Sequence, residues 1–182
     1  MKSERISIVP FEMKYLNDYF SGFNAEITQY QWPDPFESIE DARAVLQEFL
    51  NEMEREETLL FAILSKQGEF LGSVEIHGLA SDCPELGVWI IASAQRKGYA
   101  YEALTAVLDD VRSRYGKAEF YYEADVRNTG SIRLLRKLEG TYGMVEHGVE
   151  KVVTDTGKYL ELQGFTLQAK SNSDDGAEPY GK

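Results

Sequence analysis

The sequence contains little cysteine and little histidine, and it has no long apolar run. Its one cysteine, Cys83, excludes an internal disulfide and a cysteine-rich zinc site. The two histidines, His77 and His147, do not have the spacing of metal ligands, so no metal is expected. A membrane span needs roughly 18 consecutive apolar residues. Because no stretch approaches that length, a membrane partner is not expected either.

Basic residues are also scarce relative to acidic ones. The 182 residues include 19 Lys and Arg against 31 Asp and Glu, which gives a formal net charge of −12. Nonspecific nucleic-acid binding needs a basic surface that displaces counterions, so a nucleic-acid partner is not expected. An acidic surface suits a cationic partner such as an amine, although acidity also serves solubility alone. The first residues, MKSERISIVP, lack the apolar core of a signal peptide, and we therefore expect a cytoplasmic protein.

Hydrophobic periodicity predicts the order β-α-α-β-β-β-α-β-α-β-β, which indicates a single mixed α/β (α+β) domain over residues 1–169. A serine at position 38, followed by two acidic residues, predicts the start of the second helix. Two segments near the end, 144–153 and 159–169, are predicted to form a closing hairpin. Residues 170–182 are polar and aperiodic, so a disordered tail is predicted there.

Most of the recognisable chemistry lies in residues 85–105. An apolar run at 86–91 has the composition of a buried strand, and the loop at 95–100, QRKGYA, opens directly into a segment with helical spacing. Such a helix start binds phosphate, because free backbone N–H groups converge there and the helix dipole favours negative charge. The glycine of the loop lets the backbone come close to a ligand. The stretch therefore predicts an anion site.

The pattern Gln95-x-x-Gly98-x-Ala100 resembles the Q/R-x-x-G-x-G/A acetyl-coenzyme A loop of the GNAT superfamily of N-acetyltransferases. The order of predicted elements is similar to that fold over residues 5–169. Residues 27–49 and the pattern N-x-x-S at 128–131 resemble the branch that contains the ribosomal-protein N-terminal (alanine) acetyltransferases. The resemblance implies a mixed, mostly antiparallel central sheet, splayed between the fourth and fifth strands and flanked by helices. It also implies acetyl-CoA as the cofactor.

The resemblance further implies a cofactor site in two parts. Loop N–H groups and two basic side chains would hold the pyrophosphate, and a bulge near the end of the preceding strand would free backbone groups for the pantetheine arm. The asparagine and serine of N-x-x-S would lie within reach of that arm, although both types are also preferred at helix starts. The expected cofactor residues are Ile90, Ile91, Gln95, Arg96, Lys97, Gly98, Tyr99, Ala100, Asn128 and Ser131.

Acetyl transfer to an amine needs a group that removes a proton from the alkylammonium. Glu85, at the head of the central strand, is the first candidate base. Glu75 and His77 come next, because their equal parity places them on one face of the neighbouring strand. Ser131 is the candidate that donates or relays a proton to the departing thiolate. Trp32, in a loop rich in proline and aromatic residues, is expected to line the substrate site with Glu75 and His77, or else to pin that loop to the core together with Phe36.

Residues and resemblance together predict an acetyl-CoA-dependent N-acetyltransferase that acts directly on a primary amine. The acceptor is a protein N-terminus or a small amine such as a polyamine or an amine antibiotic, and a homodimer is left open. Many members of the superfamily carry a tyrosine general acid seven residues after the asparagine, where this chain has Leu135. That departure favours an alternative, a non-catalytic acyl-CoA-binding regulatory module. A nucleotide-binding domain is disfavoured, because G-x-x-x-x-G-K-[ST] and G-x-G-x-x-G are absent.

Overall fold

A computed structural model of the chain describes Met1 and residues 3–169, and the tail predicted at 170–182 lies outside the described residues. Within these residues, seven strands form one sheet in the order β1-β2-β3-β4-β5-β7-β6. In chain order the strands are β1 (Ile6–Pro10), β2 (Thr58–Ser65), β3 (Phe70–His77), β4 (Glu85–Ile90), β5 (Glu119–Asp125), β6 (Tyr142–Val153) and β7 (Tyr159–Ala169). The predicted mixed sheet and closing hairpin are confirmed.

The described residues also form four α-helices: α1 (Leu16–Gly22), α2 (Ile39–Glu54), α3 (Tyr99–Tyr115) and α4 (Thr129–Glu139). Ser38 caps α2 as predicted, because its hydroxyl accepts a hydrogen bond from the N–H of Asp41 at 3.1 Å. Among the helices that the structure describes, none has the length and apolar character of a membrane span.

The sheet separates two apolar cores. Leu86 of β4 belongs to the core under α3 and α4, whereas Trp89 belongs to the core under α1 and α2. Because side chains alternate along a strand, Glu85 lies on the same face as Trp89. Glu75 of β3 is the register partner of Gly87 and lies on that face too. Acidic residues of both central strands therefore point toward the α1/α2 side.

The parallel strands β4 and β5 meet at one end and diverge from there. The register of the described sheet pairs them through Glu85↔Tyr121, and the N–H of Tyr121 also donates to the carbonyl of Pro84 at 2.9 Å. All other neighbouring strands in the described sheet are antiparallel. The predicted splay between the fourth and fifth strands is confirmed, and it leaves a gap in the centre of the sheet.

The bulge predicted at the end of β4 is wrong. Strands β3 and β4 keep one register along all of β4, and the N–H of Ile91 continues it by donating to the carbonyl of Leu71 at 2.9 Å. Close pairing is tolerated because Gly72, opposite Ile90, has no side chain. An added Cβ at Gly72 would lie 2.1 Å from the carbonyl oxygen of Trp89.

Candidate active site

The loop at 95–98 leads from β4 into α3 and has the geometry of an anion site. Gly98 is the N-cap residue of α3, and its φ of 84° lies in the left-handed region that favours glycine. Arg96 also has a positive φ, 60°. Arg96 and Lys97 are exposed, while Tyr99 and Ala100, the first residues of α3, are half-buried. Two cationic side chains thus flank the first turn of the helix, where free N–H groups favour an anion.

Arg5, which the sequence interpretation missed, ties this loop to the N-terminal segment. Its guanidinium donates to the carbonyl of Lys97 at 2.8 Å and to the carboxylate of Glu102 at 2.8 Å. The same guanidinium lies 5.1 Å from the centre of the Tyr99 ring. Glu102 is in the first turn of α3, so its charge would oppose a bound anion. Pairing with Arg5 offsets that charge and holds the loop in place.

Backbone groups of β4 face the gap. In an antiparallel pair, residues that bond to the partner strand alternate with residues whose N–H and C=O point away. Because Ile91 bonds to β3, the backbone groups of Ile90 and Val88 point toward β5. The amide of Gln95 donates to the carbonyl of Ile90 at 3.1 Å. Gln95 therefore fixes the loop against the end of the strand and leaves N–H groups of β4 directed into the gap.

Across the gap, β5 leads into α4 through Asn128. The amide oxygen of Asn128 accepts the N–H of Ser131 at 3.1 Å, which is the helix-capping role. The hydroxyl of Ser131 lies 3.5 Å from the phenol of Tyr122, which donates to it. Leu135 is completely buried and packs in the core under α3 and α4. The sequence interpretation missed Tyr122, although alternation in FYYEAD required that its two tyrosines face opposite sides of the sheet.

A cavity of about 680 Å³ joins the two faces of the sheet at this gap. On the α3/α4 side it is lined by Tyr122, Asn128 and Ser131. On the α1/α2 side its lining includes Glu75 and Trp32. A group that enters the gap from the α3/α4 side and a molecule that enters from the α1/α2 side can therefore meet between β4 and β5.

Glu75 is held in place on the α1/α2 face by two neighbours. Its carboxylate accepts a hydrogen bond from the hydroxyl of Tyr19 at 2.9 Å, and its other oxygen lies 3.3 Å from Nε2 of His77. The side chain of Glu75 is 16% exposed and that of His77 is 36% exposed. The bond to Glu75 raises the pKa of His77. Burial, and next the charge of Glu75, raise the pKa of Tyr19 well above its ordinary value.

Glu85 is exposed; it is the register partner of His77 and lines the same cavity. It faces Glu123 of β5, a residue that the sequence interpretation missed. Burial, followed by the charge of Glu85, raises the pKa of Glu123. The hydroxyl of Tyr121 donates to Glu123 at 3.3 Å. Together with Glu75, these two carboxylates give the α1/α2 mouth of the cavity a negative potential that favours a cation.

The loop rich in proline and aromatic residues, 28–36 (the aromatic loop), is pinned to the core, but not by Trp32. Trp32 is 64% exposed, whereas Phe36 packs against Phe23 with ring centroids 5.9 Å apart. Lys158, in the turn between β6 and β7, holds the loop from the other side. Its ammonium donates to the carbonyls of residues 28 and 31 at 3.0 Å and pairs with the carboxylate of Asp34. The loop therefore forms one fixed wall of the cavity mouth.

Comparison with known proteins agrees with this geometry. A family model described as an acetyltransferase (GNAT) domain matches residues 5–141. No curated protein sequence matches the chain. The solved structures that are similar to it include the following three, whose identities are too low to show more than a common fold. The spermidine N-acetyltransferase of Vibrio cholerae, in complex with CoA and spermine, is 21% identical over 90% of this chain and 95% of its own, with a TM-score of 0.75.

The other two are ribosomal-protein acetyltransferases. RimL, a ribosomal L7/L12 alpha-N-protein acetyltransferase in complex with coenzyme A, is 18% identical over 92% of this chain and 96% of its own, with a TM-score of 0.79. The ribosomal-protein-S5-alanine acetyltransferase of Vibrio fischeri is 15% identical over 94% of this chain and 97% of its own, with a TM-score of 0.78.

Proposed function

Because the chain belongs to the GNAT acetyltransferase family, with acetyl-CoA as its cofactor, we propose that it acetylates a primary amine that enters from the α1/α2 side of the sheet. The observation that carries this proposal is the cavity between β4 and β5. Its lining runs from Asn128 and Ser131 at the start of α4 to a mouth that contains carboxylates. Direct transfer requires both reactants to be present together, and a cavity open to both faces of the sheet supports that.

Bound acetyl-CoA supplies an activated thioester. The protein offers three sets of groups to hold it. The first amides of α3, with the charges of Arg96 and Lys97, would hold its pyrophosphate. The N–H groups of Val88 and Ile90 would bind the arm and polarise the thioester carbonyl. Asn128 would act by fixing the position of Ser131.

We assign the general base to Glu75 ahead of Glu85. A base must lie within hydrogen-bonding reach of the amine. Both carboxylates line the cavity, but that of Glu75 is oriented by Tyr19, whereas Glu85 is exposed. His77 contacts the carboxylate of Glu75 and is more exposed than Glu75. It can therefore pass the proton that Glu75 collects to solvent. The exposed Glu85 would attract the cationic amine.

A protein N-terminus is the first candidate acceptor. Two of the similar structures are named as ribosomal-protein acetyltransferases, and the exposed Trp32 at the cavity mouth offers a surface for a peptide chain. A polyamine is the second candidate. The carboxylates of Glu75, Glu85 and Glu123 on one face favour an acceptor with several positive charges.

A thiol-release assay with a panel of amines tests the proposal. Purified protein is incubated with acetyl-CoA and, separately, with peptides that begin with alanine or serine, with spermidine and with spermine. Amine-dependent release of coenzyme A, together with the acetylated product in mass spectrometry, is the expected result. Tight binding of coenzyme A in titration calorimetry, with no release on any amine, would contradict it and favour a binding module.

A further inference from the structure

Two hydroxyl groups from different elements meet on the cofactor side of the gap. Tyr122 of β5 is 4% exposed, and its hydroxyl donates to the hydroxyl oxygen of Ser131 in α4 at 3.5 Å. Both side chains line the cavity. The position of Ser131 is fixed by Asn128, which accepts its backbone N–H at 3.1 Å. The pair is therefore placed by the fold at the point where the two strands open.

The donor and acceptor roles in this pair determine where the hydrogen of Ser131 can point. A phenol has one hydrogen to donate, and Tyr122 gives it to the oxygen of Ser131. The hydrogen of Ser131 cannot then lie along the same line, so it points away from Tyr122. Burial raises the pKa of Tyr122, so the phenol stays protonated.

We infer that Tyr122 is a positioning residue that aims the hydroxyl of Ser131 at the sulfur atom that leaves during acetyl transfer. This inference rests on the proposed function. In the transfer, a bond forms between the amine nitrogen and the acetyl carbon, and the carbon–sulfur bond breaks. The electron pair stays on sulfur, and the proton of the amine goes to Glu75. Ser131 stabilises the developing thiolate by a charge-assisted hydrogen bond, and Tyr122 keeps its proton.

A double-mutant cycle separates this role from simple packing. Tyr122→Phe and Ser131→Ala are each expected to lower kcat by roughly ten- to a hundredfold with little change in the KM for acetyl-CoA. If Tyr122 acts through Ser131, the double variant is no slower than Ser131→Ala alone. Ser131→Thr keeps the hydroxyl and should remain sensitive to Tyr122→Phe. Tyr115→Phe, in the last turn of α3, is the matched control and should match the unmodified protein.

Two outcomes overturn the inference. One is an unchanged kcat in Tyr122→Phe, and the other is a double variant in which the two losses multiply. Circular dichroism of each variant establishes that it is folded, and coenzyme A titration gives the amount of active protein by which each rate is divided. Absence of amine-dependent thiol release from the unmodified protein would instead overturn the proposed function itself.

Discussion

The hydroxyl of Tyr19 donates a 2.9 Å hydrogen bond to the carboxylate of Glu75, although 56 positions separate them in the chain. Tyr19 is buried between α1 and the sheet, so its phenol cannot turn away. The other carboxylate oxygen contacts His77. Glu75 therefore presents its carboxylate to the cavity in one orientation, as a base that accepts a proton from a bound amine should.

Replacement of Glu75 tests that role. Glu75→Gln keeps the shape of the side chain and a hydrogen bond from Tyr19, but it removes the proton acceptor. We expect kcat to fall by roughly a hundred- to a thousandfold and the loss to shrink as pH rises, because more of the amine arrives deprotonated. Steady-state kinetics from pH 6.5 to 9.5 measure both. Glu85→Gln should instead raise the KM for the amine, and a larger fall in kcat for this variant would transfer the role to Glu85.

His77 should make stability depend on pH. Its hydrogen bond to Glu75 raises its pKa in the folded protein. The contribution to stability is therefore fully present below the unfolded pKa of about 6.5 and is lost as pH rises through the higher folded value. Urea unfolding should show that His77→Gln costs more stability at pH 5.5 than at pH 9. His147→Gln, on the exposed part of β6, is the control, and an equal cost of His77→Gln at both pH values would exclude the coupling.

The parts of the site that the sequence predicted are those formed by adjacent residues. Gly98 is the N-cap of α3 because the residues that follow it have helical spacing. Asn128 caps α4 through the backbone amide three positions further along the chain. Such local hydrogen bonds are encoded within one turn of chain. The predicted bulge was wrong for a non-local reason, since the register of β4 depends on Gly72 in the strand opposite.

The contacts that the sequence did not predict connect distant segments. Arg5 reaches the carbonyl of Lys97 from 92 positions away, and the strand pattern at the start of the chain carries no sign of that bond. Tyr121 and Tyr122 are adjacent in the sequence, so their side chains point to opposite faces of the sheet. Only the order of the strands decides which of the two borders the gap beside Ser131. The alternation along a strand predicts which face of the sheet a side chain occupies. The order of the strands decides which residues that side chain contacts.

Gly98 should be needed for cofactor binding, and Gly116 should not. The two glycines are at opposite ends of α3, with φ of 84° and 67°. Because both are in the left-handed region, alanine at either position should cost roughly 1 kcal/mol of stability. Gly98→Asp should also abolish binding of coenzyme A in titration calorimetry, because it places a carboxylate where the pyrophosphate is expected. Gly116→Asp should bind normally, and near-normal affinity in a folded Gly98→Asp variant would refute the assignment of the loop.

Lys158 should control the affinity for the amine without affecting the cofactor. It bonds to two carbonyls of the aromatic loop and to Asp34, so Lys158→Met releases that wall of the cavity mouth. The released loop must be ordered again when the acceptor binds, at a cost of roughly 1 kcal/mol, or about a fivefold rise in the KM for the amine. The KM for acetyl-CoA should stay constant, because the loop at 95–98 is not touched. Lys151→Met removes a lysine from exposed β6 instead. Equal KM values for the amine in these two variants would show that the loop does not contribute to the acceptor site.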